Sequence, residues 1–284
     1  MLHPSTIQLL RFHFSFFLLP VFLFALSQAK EIHWTETILA FAILHLLVYP
    51  SSNGYNSYMD RDQSPIGGLK DPMQPTRQLY TITVIIDVIA IILSALISYI
   101  FCLGILLYIL ASRAYSYRGI RLKKYPVTGF LTVFIFQGML VFVLSYLAIS
   151  QSSLSEIPLI PCLIAGLLIG ALYPLTQVYQ HEADHKDGVT SISMLLGKKG
   201  SFIFSMILFL SASFLFYLLF RENDPVHFLL YLGVMLPVVL FFLYWMMKVW
   251  KDGNQASFSN SLRMNLVSTL CTTVFFITLI ILKH

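Results

Sequence analysis

Three stretches of this sequence hold side chains that could do chemistry. In "NGYNSYMDRDQS", Asn53, Asn56 and Asp60 step by three and four, so a helix would carry them on one side. Asp62 and Ser64 follow as Pro65-Ile66-Gly67-Gly68 breaks that helix. In "YPLTQVYQHEADHKDG", Tyr173, Gln177, Gln180 and Asp184 repeat the stepping, Glu182 and Asp187 add carboxylates, and Gly188 closes the helix end. Carboxylates and amide oxygens grouped in this way can hold magnesium, which takes oxygen ligands and leaves positions for substrate phosphates. In "SRAYSYRGIRLKKYP", Arg113, Arg118, Arg121, Lys123 and Lys124 alternate with Tyr115, Tyr117 and Tyr125. Guanidinium and ammonium groups can clamp a diphosphate, although an aromatic belt beside a positive loop accounts for the same composition. Solvated helix ends explain isolated loop charges such as Asp71 and Asp252. They do not explain Asn53 and Asn56 at the end of an apolar helix, where an amide needs a polar partner or a wet cavity.

The elements that must position these residues follow from composition. The chain is 57% hydrophobic and 11% charged, with a mean hydropathy of +0.78, whereas a soluble domain carries roughly 25% charged residues. Segments of about 20 apolar residues cross a bilayer as helices, and runs such as "ILFLSASFLFYLLF" lack the alternation of a β-barrel. The expected fold is all-α: one polytopic domain over residues 1–284, with nine spans near 8–27, 37–57, 79–97, 99–115, 128–149, 157–179, 201–220, 227–249 and 263–282. The apolar run from Tyr80 to Ser112 is too long for one crossing and short for two. A tight turn near Ser98 puts fifteen of the eighteen Lys and Arg residues on one face and leaves Lys30, Arg221 and Lys283 on the other. Positive loops stay cytoplasmic, which places the N-terminus and all three polar stretches inside a cell (inner or plasma) membrane. Ser27-Gln28-Ala29 could mark a processing site, but Pro20 within the run argues for a retained first span. Cys102, Cys162 and Cys271 lack paired spacing and read as small core residues. The loops explain the net charge of +5 without a nucleic-acid partner.

On these motifs the chain resembles the UbiA-type intramembrane prenyltransferases, which have nine spans and aspartate-rich motifs after the second and sixth. The first family motif, Asn-Asp-x-x-Asp-x-x-x-Asp, meets Asn56, Ser57, Asp60 and Ser64; the second, Asp-x-x-x-Asp, meets Gln180 and Asp184, with Glu182 between and Gly188 four residues on. "YSYRGIRLKKYP" is similar to the Tyr-Ser-x-Pro-Pro-x-Lys-Leu-Lys loop of the branch containing chlorophyll synthases, through Tyr115, Ser116, Arg121, Leu122 and Lys123. The resemblance implies a Mg2+-dependent transferase that moves an isoprenyl group from a prenyl diphosphate to an aromatic or lipid acceptor within the bilayer. It implies catalytic roles for Asp60 and Asp184, metal ligation by Asn56, Asp60, Asp62, Glu182, Asp184 and Asp187, and diphosphate binding by Asn56, Tyr115, Arg121 and Lys123. Ser57, Ser64 and Gln180 stand where the motifs have aspartates, so the number of metal ions is open; Asp62 and Asp187 could compensate.

Two other functions fit the same composition. A membrane terpene cyclase would capture the cation within its own substrate. A transporter for an anionic lipid or metabolite would show broken helices with polar breaks near the midplane, whereas these polar residues gather at one surface. Asp87 lies within the third span, where an ionisable group is costly; packing and cavity roles are equally open. Gln137, Asn260 and Asn265 could line a cavity or join helices.

Overall fold

The apolar run from Tyr80 to Ser112 divides at Ser98. In the computed structural model, which describes residues 2–221 and 224–283, Ser98 is extended and its hydroxyl accepts from the Phe101 amide at 3.0 Å, capping the helix that follows. Among the described residues, nine helices are long and apolar enough to cross a membrane: α1 (Pro4–Gln28), α2 (Trp34–Asp60), α3 (Arg77–Ser94), α4 (Tyr99–Ser116), α5 (Pro126–Ser150), α6 (Leu159–Gln177), α7 (Ile192–Phe220), α8 (Pro225–Lys251) and α9 (Phe258–Lys283). The described residues form no strand, only an isolated bridge between Ile66 and Leu69. All nine expected spans are present in the expected order.

Four helices depart from regular geometry; one is α7, where Gly197 leaves the helical region (φ 69°) and kinks the helix. In α1 the backbone of Arg11 turns left-handed (φ 46°), and Phe12–Leu18 continue as 3-10 helix. In α2 and α5 the segments Ile43–Val48 and Val133–Leu140 are π-helical. An inserted residue rotates the helix beyond it and often marks a functional site; in α5 the wide segment carries Gln137.

Contacts between helices rely on small residues and aromatic rings. Gly138 of α5 faces Gly166 of α6 so closely that a Cβ on Gly138 would fall 2.6 Å from the Gly166 Cα. In lipid there is no water-driven collapse between helices, so such approach maximises van der Waals contact. Away from the motif-bearing ends, Phe24, Phe216, Tyr231, Phe275 and Phe276 form one buried aromatic layer joining α1, α7, α8 and α9, with the Phe24 and Phe276 rings 4.6 Å apart. Outward side chains such as Leu96, Leu159 and Leu210 are exposed, as expected where lipid is the solvent.

Candidate active site

The last turn of α2 carries the first motif. Asn56 donates one amide hydrogen to Asp60 Oδ2 at 2.8 Å, the distance that one helical turn permits. Its second hydrogen goes to Ser116 Oγ at the end of α4, at 2.9 Å. Arg61 then ends the helix in the left-handed region (φ 54°), and the chain folds back beneath α1. There Arg11 donates to the Gly67 and Asn53 carbonyls at 3.1 and 3.3 Å. Gly67 sits against Phe14, where a Cβ would come within 2.8 Å of the ring.

The second motif begins where α6 ends at Gln177 and continues into a short helix, His181–Lys186. Gln180 donates to the Pro65 carbonyl at 3.3 Å, so the two motif loops touch. Between them runs the basic loop. The backbone of Arg121 is left-handed (φ 53°), and its buried guanidinium donates to the Asp187 carbonyl at 3.0 Å and pairs with the Asp187 carboxylate. It also lies 3.6 Å from Asp60 Oδ1. Lys123 pairs with Asp60 on its other oxygen, Oδ2. Arg118 donates to the Met59 carbonyl at 3.0 Å and lies 3.5 Å from the Asp187 carboxylate.

These elements enclose a cavity of about 250 Å³. Its lining includes Asn56, Asp60, Asp62, Tyr115, Lys123 and Asp184. Tyr115 and Tyr173 join their phenols across it at 2.6 Å. Arg121 stands behind Asp60, outside the lining, and Asp187 is held there with it. Glu182 lies on the solvent side, 84% exposed, and pairs with Lys186 at 2.7 Å. The structure thus gathers six of the nine sequence-derived site residues around one cavity and sets Arg121, Asp187 and Glu182 outside it.

Arg11 and Tyr108 also line the cavity, although the motifs do not point to them. Arg11 carried a signal, being a cation set within an apolar run. Tyr108 carried none, because one tyrosine in an apolar helix is unremarkable. Gln137 and Asn265 reach the cavity, whereas Asn260 donates to the Gln255 carbonyl at 2.9 Å.

Burial pushes the Asp62 carboxyl up to about 6, and neighbouring Asp60 adds to the shift. Burial likewise raises Asp184 to about 6, against the opposing pull of Lys123. Carboxylates held this way gain from a nearby cation. Among the described residues, no three His, Cys, Asp or Glu side chains form a ready metal cage. Magnesium does not require one, since it is commonly held by one or two carboxylates and substrate phosphates. The donors fit such an ion: they are hard oxygens, and Asp60 Oδ1 is buried without a hydrogen-bond partner.

A family model described as the UbiA prenyltransferase family matches residues 17–269. The chain belongs to the UbiA prenyltransferase family. Among solved structures, it resembles a UbiA homolog from Archaeoglobus fulgidus bound to GPP and Mg2+ (TM-score 0.71, 18% identity, covering 97% of this chain and 99% of that one). It also resembles the apo UbiA homolog from Aeropyrum pernix K1 (TM-score 0.69, 19% identity, covering 94% and 97%). A third likeness is to a digeranylgeranylglyceryl phosphate synthase (TM-score 0.61, 19% identity, covering 98% and 96%). At these identities the likeness is one of fold. The chain has no match among curated proteins. The nine-helix bundle is what the chain shares with these structures.

Proposed function

We propose that this membrane protein transfers an isoprenyl group from a prenyl diphosphate to an aromatic or lipid acceptor, with Mg2+, at a cytoplasmic-facing site in a cell membrane. The observation that carries this reading is the junction of two unlike cavities. The polar one, with Asp60, Asp62, Asp184 and Lys123, shares Phe17, Ile169 and Leu172 with an apolar one of about 320 Å³. That second cavity runs between α1, α6, α7, α8 and α9 and is lined chiefly by Leu, Val, Met and Phe side chains. Such a pair suits a ligand with a charged head and a long hydrocarbon tail.

Asn56, Asp60, Asp62 and Asp184 are the residues we assign to the metal. Magnesium, when bound there, draws negative charge from the leaving diphosphate. Lys123 lies on the same cavity and can donate to phosphate oxygens once it leaves Asp60. Arg11 adds a second cation at the cavity wall. As the bond between the allylic carbon and the diphosphate oxygen breaks, the electron pair leaves with diphosphate. The tail cavity keeps water from the allylic cation. The acceptor then supplies the electron pair for the new bond and loses a proton. Glu182 and Asp187 remain proposed only as outer carboxylates, since their side chains lie off the cavity.

The test is to incubate the purified protein with prenyl diphosphates of several lengths and a membrane-lipid extract, with magnesium and with EDTA. Magnesium-dependent diphosphate release with a prenylated product is the expected result. A product isomeric with the donor minus diphosphoric acid would show cyclisation or elimination. Absence of both binding and turnover for every donor would overturn the reading.

A further inference from the structure

Asp87 and Arg113 form a salt bridge within the membrane-spanning bundle, away from the cavity lining. Charged residues at such depth are rare unless they do something that apolar packing does not. Their partners show what that is. Arg113 of α4 donates Nε to Asp87 Oδ2 of α3 at 3.0 Å and Nη1 to Thr83 Oγ1 at 3.3 Å. It crosses to α2 as well, donating Nη2 to Ser51 Oγ at 3.4 Å and lying 3.9 Å above the Tyr55 ring. Ser51 in turn donates to Asp87 Oδ1 at 2.5 Å. Asp87 therefore accepts from both α2 and α4 and fixes them against α3.

Ser51 and Tyr55 share a side of α2 because they are four residues apart. The next side of that helix carries Ser52, Asn56 and Asp60 into the cavity. Ser52 meets Ser112 of α4 at 2.6 Å, and Asn56 meets Ser116 at 2.9 Å. Arg113 stands between those two serines in sequence and belongs to the same α2–α4 seam. Both amide hydrogens of Asn56 are committed, to Asp60 and Ser116, which leaves its carbonyl oxygen to face a cation. That orientation holds only while Ser116 keeps its height relative to Asn56.

We infer that Asp87, through Arg113, is a positioning residue that sets the register of α4 against α2 and thereby turns the Asn56 carbonyl oxygen toward the metal. This inference rests on the proposed function for its kinetic consequences and stands apart from it in metal binding. A slip along a helix of even one residue is about 1.5 Å, and errors of that size at a reacting centre can cost about 100-fold in rate.

The test uses the full-length protein in detergent or nanodiscs, with the variants Asp87→Asn, Ser116→Ala and the exchanged pair Asp87→Arg with Arg113→Asp. Mn2+ binding is read by electron paramagnetic resonance on protein alone. Donor KM, kcat, magnesium dependence and thermal midpoint are read in parallel. Asp87→Asn and Ser116→Ala are expected to weaken Mn2+ binding about tenfold. They are also expected to lower kcat at least tenfold with donor KM within about twofold, and the exchanged pair to regain part of the Mn2+ affinity. A purely packing role predicts a lowered thermal midpoint with parental Mn2+ affinity and parental kcat per folded molecule, and that outcome overturns the inference. Parental Mn2+ binding in Asp87→Asn overturns it also in a protein that releases no diphosphate. If the parent binds Mn2+ yet consumes no donor, the proposed function fails while weakened binding in Asp87→Asn still upholds the inference.

Discussion

Lys123 closes on Asp60 from the loop after α4, and Asn56 bonds the same carboxylate oxygen from one turn earlier in α2 at 2.8 Å. One carboxylate thus joins the first aspartate-rich motif to the basic loop. Asp60 is buried, and its second oxygen, Oδ1, has Arg121 as its nearest cation at 3.6 Å. Without magnesium, protein cations balance this carboxylate. In the proposed reaction, bound diphosphate would give Lys123 a second acceptor to which it can turn.

Under the proposed function, removing that carboxylate charge acts on the step in which diphosphate leaves. Asp60→Asn and Asp184→Asn are each expected to lower diphosphate release by about 100-fold or more. Donor binding, followed by a non-hydrolysable analogue in calorimetry, should persist at reduced affinity. Parental turnover in either variant places the site elsewhere.

Arg121 is not interchangeable with lysine. Its buried guanidinium serves the Asp187 carbonyl, the Asp187 carboxylate and the neighbourhood of Asp60 together. A lysine ammonium is a point charge without that planar fork. Arg121→Lys is expected to loosen the loop of the second motif, raising proteolytic cleavage near Gly188 and lowering turnover about tenfold. Limited proteolysis followed by mass spectrometry tests the structural half independently of activity.

Glu182 supplies the contrast within the same motif. It is exposed, and its partner Lys186 lies one turn away on the same short helix. Exposed pairs of this kind contribute little. Glu182→Gln should keep kcat and magnesium dependence within about twofold of the parent. A loss comparable with that of Asp184→Asn would bring this side chain into the metal site.

The pH dependence follows from Asp62 and Asp184, both raised from 3.8 to about 6 without metal. Between those values the folded protein binds more protons at these groups than the unfolded chain, so their contribution to stability falls as pH rises toward 6. Magnesium favours the ionised carboxylates and releases protons on binding, so its apparent affinity should fall as pH drops below about 6. Magnesium should consequently raise the thermal midpoint more at pH 7.5 than at pH 5. Equal shifts at both values would remove these two carboxylates from the site.

The α5–α6 contact gives a prediction about stability alone. A side chain on Gly138 would strike the Gly166 Cα at 2.6 Å, and that contact is backbone that cannot rotate aside. Gly138→Val is expected to destabilise the bundle by about 1–3 kcal/mol, as overpacking does. Unfolding in a detergent titration checks it; no change would mean that α5 and α6 separate at little cost.

Sequence alone determined the solvent and the helices. A chain this poor in charge has to satisfy its backbone hydrogen bonds within helices, and the distribution of Lys and Arg required a break near Ser98, where the structure has one. The stepping of Asn56 with Asp60 was equally legible, because helical period is local. Tertiary structure decided which polar residues meet. It set Glu182 toward solvent and Asp184 toward the cavity, although they are two residues apart, because successive positions on a short helix point in different directions. It brought Arg11 to the cavity through a left-handed turn, and it joined Asp87 to Arg113 across two helices. Such pairings depend on the height and rotation of whole helices against one another, set by contacts scattered along the chain, and no local pattern encodes them.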